Sequence, residues 1–324
     1  MKHQHYLADL HTHLNEKNID ARDWWGGVKK RKLSVIAITE HTEHDSRNAY
    51  EKVLALKPDN IILIPGMEAK TSAGHVIILG EDISIYDIPR LQVHNVPIEE
   101  ALQIVNDNNL VASFAHPYGY KTDATCSVLG EKKSLQLLKK YKVGAEYYNG
   151  MLGSANNFVF GTQWIKKIYN FFDFSSKSKF GKALGIQNRS LRIKNRLEEI
   201  SEETFKRVKG GIEFSQKASF ITVGSDAHYP RTIGTAVLEL KRKPKNAKDF
   251  LQMLTRKQIL WAGPNIYSDL PVDKLKKKEL LEGLKYVTKN RIKKKITKGK
   301  KKSTKTKIKG KVKIISKIKR RNKK

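Results

Sequence analysis

The sequence predicts an α/β protein built on a parallel sheet, and two observations carry that expectation. Short apolar runs, each the length of a buried strand, alternate with stretches of helical character. About six of these runs have a His, Asp or Glu just past the C-terminal end, which is where active-site residues gather in closed parallel barrels.

The first run, Tyr6-Leu7-Ala8, leads into Asp9-Leu10-His11-Thr12-His13. Histidines at i and i+2 of an extended segment point to one side, and convergent neutral imidazoles are good ligands for divalent transition metals. Asp20 is read as the cap of a helix over 22–31. In that helix Trp24 and Trp25 are packing residues, and Gly26-Gly27 is a weak point. The run at 33–38 ends at Glu40-His41 and is followed by a helix over 46–56.

The pattern recurs downstream. The run at 61–64 stops at Pro65 before Glu68, and 76–79 differs from the others in having its histidine, His75, at the start. A stripe of Ala101, Leu102 and Val105 marks a helix before the strand 111–114, which ends at His116. A helix near 134–140 leads to 143–145 and Glu146, and 220–223 ends at Asp226 and His228. The strand at 236–240, a helix over 247–256 and a short piece at 259–263 close the ordered part.

The chain has 324 residues, 39% of them hydrophobic, enough for one large domain with additions. Cys126 is its single cysteine, which excludes an internal disulfide framework and fits a reducing compartment. No run approaches the length of a membrane span, and Met1-Lys2-His3-Gln4-His5 leads into a strand without a signal peptide. A cytoplasmic protein with no membrane partner is expected.

Taken in order, DLHTH at 9–13, ITEH at 38–41, PGMEAKT at 65–71, GH at 74–75, AHP at 115–117 and GSDAH at 224–228 resemble the motifs of the polymerase-and-histidinol-phosphatase (PHP) metal-dependent phosphoesterases. The resemblance implies a distorted, TIM-like barrel of seven (βα) strands within residues 1–270. It implies two or three divalent ions (zinc, manganese or iron) and hydrolysis of phosphate esters by a metal-activated hydroxide. The implied ligands are His11, His13, His41, Glu68, His116, Asp226 and His228, with Glu68 bridging two ions. Asp226 is expected also to steer the attacking water, and His228 or His75 to protonate the leaving oxygen. Arg231 and Lys70 are the nearest cations for the substrate phosphate. Asp9, Asp20, Glu40 and Glu146 are further candidates. Where the family often has a further Asp or His five or six residues after HxH, this chain has Asn18 and Ile19, and Asp20 is the nearest carboxylate. Glu40 replaces the usual Asp before the second-motif histidine and is expected to orient His41 or a water.

Residues 151–211 interrupt the strand-helix rhythm with an aromatic-basic segment at 158–172 and a charged helix near 198–209. They are read as a lid or substrate-selecting insertion or as a packing appendage. The net charge of +32 is concentrated in the tail: Lys274–Lys324 holds 25 Lys and Arg against two acids. Part of it, 274–286, has helical character, and beyond about 288 the composition cannot build a core, so disorder is expected. The partner is a phosphorylated small molecule or a nucleotide, with DNA or RNA bound through the tail. A nuclease tethered by the tail and a non-catalytic nucleic-acid-binding protein are the alternatives.

Removing Lys274–Lys324 is expected to leave turnover of a small phosphoester intact and to weaken nucleic-acid binding. Flexible lysines neutralise phosphates without reading bases. Each phosphate neutralised contributes about −0.9 to the slope of log K against log salt on duplex DNA. A salt titration of the full and shortened chains on mixed-sequence DNA and RNA measures this; equal affinities and equal slopes would remove the tail from the binding account.

Overall fold

A computed structural model describes residues 4–120, 122–156 and 163–270. The strands among them are β1 (Leu7–Asp9), β2 (Val35–Ile38), β3 (Ile62–Thr71), β4 (Gly74–Leu79), β5 (Val111–Phe114), β6 (Gly144–Asn149), β7 (Ile221–Gly224), β8 (Ala236–Leu240) and β9 (Ile259–Pro264). They form one sheet in the order β7-β6-β5-β4-β3-β2-β1-β8-β9. The sheet curls until the chain beyond β1 meets the chain at β7. Leu10 N–H donates to the Val223 carbonyl at 3.2 Å, Asp226 N–H donates to the His11 carbonyl at 2.8 Å, and Thr12 bridges Ala227 in parallel. The result is a nearly closed, barrel-like sheet.

Strands β1 to β7 make the curl whose ends meet, and the expectation that its strands are all parallel is corrected. Nine strands are present among the described residues, because β8 and β9 add antiparallel on the far side of β1. The sheet is also mixed. β1, β2 and β3 pair in parallel, as do β5, β6 and β7, but β4 is antiparallel to both of its neighbours. The cause lies in the two residues between β3 and β4, a connection that only an antiparallel pair permits. The run at 61–64 does not stop at Pro65. There β3 passes from its last pair with β2, Ile38 to Pro65, to its first pair with β4, Gly66 to Leu79, so the missing proline N–H falls at the change of partner. Because β4 runs backwards, its first residues share a rim with the C-terminal ends of the parallel strands. That accounts for His75 lying at a strand's start.

Alternate strand residues feed two buried clusters. Leu7, Ile36, Ile38 and Leu63 pack with Trp24, Trp25 and Val28 of helix α1 (Ala21–Lys30). Ala8, Val35, Ala37 and Ile64 face the other way, against Ile77 and Val223. Each buried Leu or Ile side chain stabilises the fold by about 1.5–3 kcal/mol. Further helices are α2 (Ser46–Leu54), α3 (Ile98–Asp107), α4 (Thr125–Leu129) and α5 (Glu131–Tyr141). The chain runs on through the insertion, α6 (Gly150–Asn156), α7 (Gln163–Lys177), α8 (Lys179–Ala183) and α9 (Gln187–Ser215), to α10 (Ala247–Thr255). Helix α1 runs through Gly26-Gly27 without a break. A Cβ on Gly27 would collide with the Pro230 carbonyl, so this glycine lets the turn after the last motif dock on the helix.

The charged helix expected at 198–209 is the middle of α9, which is 29 residues long. The C-terminal half of α9 lies on the barrel: Phe214 is buried, and Arg207 donates to the carbonyls of Tyr118 and Gly119. Residues 157–162 of the aromatic-basic segment and the tail from 271 fall outside the described residues. No described helix is long and apolar enough to cross a membrane.

Gly224 lies where β7 passes the first motif. A Cβ there would run into the Cβ of His11 and come within 2.7 Å of its backbone nitrogen. Gly224→Ala is expected to cost about 1–3 kcal/mol, as overpacking of a tight interior does. Urea denaturation reads this directly, and an unchanged midpoint would show that β7 and the first motif are not held in this contact.

Candidate metal centre

One carboxylate, that of Glu68 in the middle of β3, is surrounded by imidazoles. Its Oε2 lies 3.0 Å from His41 Nδ1, 3.2 Å from His11 Nε2 and 3.6 Å from His13 Nε2. Its Oε1 lies 2.7 Å from His75 Nδ1 and 3.1 Å from His116 Nε2. Asp226, just past β7, faces two of these histidines and one more: its Oδ1 is 3.3 Å from His13 Nε2, 3.7 Å from His11 Nε2 and 3.5 Å from His228 Nδ1. The motifs read from the sequence therefore meet at one rim of the sheet. Two of the residues, His116 and Asp226, hold positive φ values of 27° and 53° at the ends of their strands. Each is pinned by its own backbone N–H, His116 to Glu146 Oε2 at 2.7 Å and Asp226 to the His11 carbonyl. Non-glycine residues held in this region mark sites where surrounding structure over-determines the backbone.

The protons on the rings show what this centre is built to bind. His11 Nδ1 faces Glu146 Oε1 at 3.1 Å, and His13 Nδ1 faces Glu40 Oε1 at 3.4 Å. His228 Nδ1 faces the Asp226 backbone carbonyl at 2.9 Å. Each partner accepts, so each Nδ1 carries the hydrogen and each neutral ring turns a lone pair outward at Nε2. Those lone pairs point at further acceptors. His11 and His13 meet Glu68 and Asp226, and His228 Nε2 lies 2.8 Å from Glu16 Oε2. The Nε2 atoms of His11, His13 and His75 and the Nδ1 atoms of His41 and His116 are buried without a hydrogen-bond partner among the described residues. Acceptor facing acceptor in a buried site is relieved by a proton or by a metal cation between them, and the ring-to-carboxylate arrangement behind is the one that orients metal-ligating histidines. The residues fit divalent transition metals, whose preferred donors are imidazole and carboxylate.

Three groups of donor atoms lie within 4.8 Å of one another: His11, His13 and Asp226; His41, Glu68 and His75; and His13, Glu16, His41 and His228. Glu16 was missed in the sequence, where the search for a further ligand stopped at Asn18, Ile19 and Asp20. The signal was present three residues after His13. A 3₁₀ turn over Asn15–Lys17 folds Glu16 back over the rim. Glu40 builds that turn by accepting from the backbone N–H groups of Leu14 and Asn15, at 2.8 and 2.5 Å. Glu40 thus orients His13 and positions Glu16, and it also accepts from the His41 backbone N–H at 3.0 Å, the residue the sequence had it orient.

The other candidates divide clearly. Asp20 is exposed and caps α1 through Arg22 N–H at 2.7 Å, so it takes no part in the centre. Asp9 is fully buried but faces away from the histidines, accepting from Ser225 Oγ at 2.5 Å and from the backbone N–H groups of Ser225, Gly234 and His11. Glu146 stands behind His11 and His116 and accepts from Asn149 Nδ2. Asn149, at the root of the insertion, also donates to Asp226 Oδ2 at 3.1 Å. Lys70 pairs with Glu43 at 3.3 Å and shares a sheet face with Glu68 and His75. Arg231 lies over the Tyr229 ring.

The charges answer one another. Burial would lower the His13 pKa, but Asp226 and Glu40 raise it to about 10. Burial likewise opposes His11, which Asp226, Glu68 and Glu146 hold well above the usual histidine range. His41 moves the other way, to about 4, through burial and the neighbouring His13 and His75. Burial disfavours charge on Glu68 and Asp226, yet the histidines hold both well below the usual carboxylate range. Burial alone pushes Asp9 up to about 6 against the four hydrogen bonds it accepts.

Residues 216–259 match the family model described as PHP-associated. No curated protein matches the chain. Among solved structures, a two-domain protein from Bacteroides vulgatus containing a predicted PHP-like metal-dependent phosphoesterase aligns over 79% of this chain and 64% of its own, at 12% identity and a TM-score of 0.51. This chain thus spans less than two thirds of that protein. A lesion-specific endonuclease from Pyrococcus furiosus aligns over 78% of this chain and 56% of its own, at 12% identity and a TM-score of 0.46. An amidohydrolase from Chromobacterium violaceum aligns over 44% and 77%, at 15% identity and a TM-score of 0.32. The chain therefore shares its fold with the Bacteroides protein, and its segment around β7 and β8 matches the PHP-associated model.

Proposed function

We propose that the protein is a hydrolase of phosphate esters, with a PHP-type barrel holding divalent zinc, manganese or iron through His11, His13, His41, Glu68, His116, Asp226 and His228. The observation that supports it best is the set of imidazole lone pairs aimed at buried carboxylates, which divalent cations placed between them would satisfy. Ions bound there would activate water and neutralise the charge of a phosphate group. Glu16 joins His41 and His228 as the ligands of a third ion, so the proposed number is three.

The chain's own residues divide the remaining work. Asn149 fixes one oxygen of Asp226, which leaves the other among His11, His13 and His228 to orient the attacking water. His228 is committed to Glu16 at 2.8 Å. His75 is not so committed at Nε2, which lies 3.9 Å from Asp123 Oδ1. His75 is therefore the better placed of the two to hold a proton for the leaving oxygen. Arg231 and Lys70 supply cationic contacts to the substrate phosphate beyond the ions.

Protein purified without chelator should carry close to three equivalents of metal by elemental analysis; a folded, metal-free protein would defeat the assignment. Asp226→Asn should lower kcat/KM on a phosphomonoester by more than about 100-fold, beyond the usual cost of losing an outer partner, with an unchanged circular dichroism spectrum. Glu16→Ala should remove about one equivalent of metal and leave the rest. Full retention of metal in that variant would exclude Glu16 as a ligand.

A further inference from the structure

The insertion separates its charges along its length. Between 166 and 196 there are nine Lys and Arg and a single acid, Asp173, whereas between 198 and 213 five acids stand against three bases. The second stretch is the part of α9 that lies on the barrel. The first is the outer part, where α7 pairs with α9 through Lys194 and Asp173, and Tyr169 reaches on to Glu198. This outer part also exposes aromatic rings: Phe171, Phe174 and Phe180 are 51%, 60% and 52% exposed.

The rings and cations share a surface. On α7, positions 167, 171 and 174 fall on one helical face, and all three side chains are exposed. Phe174 lines a shallow open depression with Asn170, Ser178 and the Asp173–Lys177 ion pair. Lys179, Phe180 and Lys182 follow on α8, all exposed. Lys167, Lys179 and Lys182 have no ion pair among the described residues. Exposed phenylalanines flanked by unpaired lysines combine the two features that hold single-stranded nucleic acid, flat platforms for bases and cations for the backbone.

We propose that the outer face of the insertion, centred on Phe171, Phe174 and Phe180 with Lys167, Lys179 and Lys182, binds single-stranded nucleic acid. This rests on the phosphoesterase reading for its link to catalysis, since it names a polymeric substrate class for the same centre. A second copy of the face, or this chain's own tail, carries the same sign of charge and is repelled. An anionic membrane is less well matched, because a helix lying in the lipid interface segregates its apolar residues from its cations, and here the two are interleaved.

The test uses the full chain in chelator, so that binding is read apart from hydrolysis. Labelled mixed-sequence single strands and the matching duplex are titrated across salt concentrations. The tail neutralises phosphates on either ligand, so the ratio of single-strand to duplex affinity isolates the insertion. Wild type should prefer the single strand. Combining Phe171→Ala, Phe174→Ala and Phe180→Ala should lower single-strand affinity by at least about fivefold for each ring that stacks and abolish the preference. Combining Lys167→Gln, Lys179→Gln and Lys182→Gln should reduce the single-strand salt slope by about 2. Both sets should turn over a small aryl phosphate at the wild-type rate. Unchanged single-strand affinity and unchanged preference in the Phe variant would overturn the proposal, as would loss of binding to phosphatidylserine vesicles with single-strand binding intact. If wild type fails to turn over the aryl phosphate yet shows the predicted binding differences, the catalytic reading falls and the binding surface stands.

Discussion

A carboxylate has two oxygens and about four lone-pair directions, and Glu68 has five imidazoles around it. Those rings cannot all be satisfied by donating to it, since His11 and His13 spend their Nδ1 hydrogens on Glu146 and Glu40. The surplus of acceptors at the centre is the constraint on which the rest of the rim depends. With protons alone, the centre would need several imidazolium ions packed together, and the opposite shifts of His13 and His41 show how poorly that works. Divalent cations relieve it with fewer positive centres, each of which can face several acceptors at once.

The rim keeps its shape because three more buried carboxylates are spent on backbone rather than on metal. Asp9 ties the end of β1 to Ser225 and Gly234 across the seam. Glu40 gathers the turn that carries Glu16, and Glu146 holds the His116 backbone and the His11 ring. A buried charge costs stability unless it is hydrogen-bonded. Asp9 shows that cost, since burial outweighs all four of its bonds in setting its pKa. What the cost secures is registry between the first and last motifs, which are 216 residues apart at Asp9 and Ser225.

Most residues of the candidate centre were legible in the sequence because His11, His13, His41, His116, Asp226 and His228 follow strands, and a strand end is a local pattern. The same locality explains the errors. The antiparallel course of β4 depends on which strand pairs with which, and apolar runs do not record that; only His75, on the unexpected side of its run, hinted at it. Glu16 was passed over because the spacing of ligands after HxH was taken from the family, whereas a 3₁₀ turn shortens the reach to three residues. Asp9 and Asp20 looked alike as acids near the first motif. One is buried at a seam and the other is exposed at a helix cap, a difference set by tertiary contacts alone.

The insertion belongs to the centre more closely than its position in the chain suggests. It leaves β6 at Asn149, which holds Asp226 and Glu146, and it returns to β7, two residues beyond which lies Asp226. At its root Gly150 lies so close to Ser225 that a Cβ would come within 2.9 Å of that residue's backbone. Farther out, Arg207 of α9 grips the carbonyls of Tyr118 and Gly119, in the loop that begins at His116. The insertion is thus fastened to the rim at Glu146, Asp226 and the loop after His116, through its root and through the acidic half of α9. That fastening suits a polymeric phosphoester. The outer face can hold the backbone by charge and stacking, and the fastened half fixes the distance from that face to the histidines.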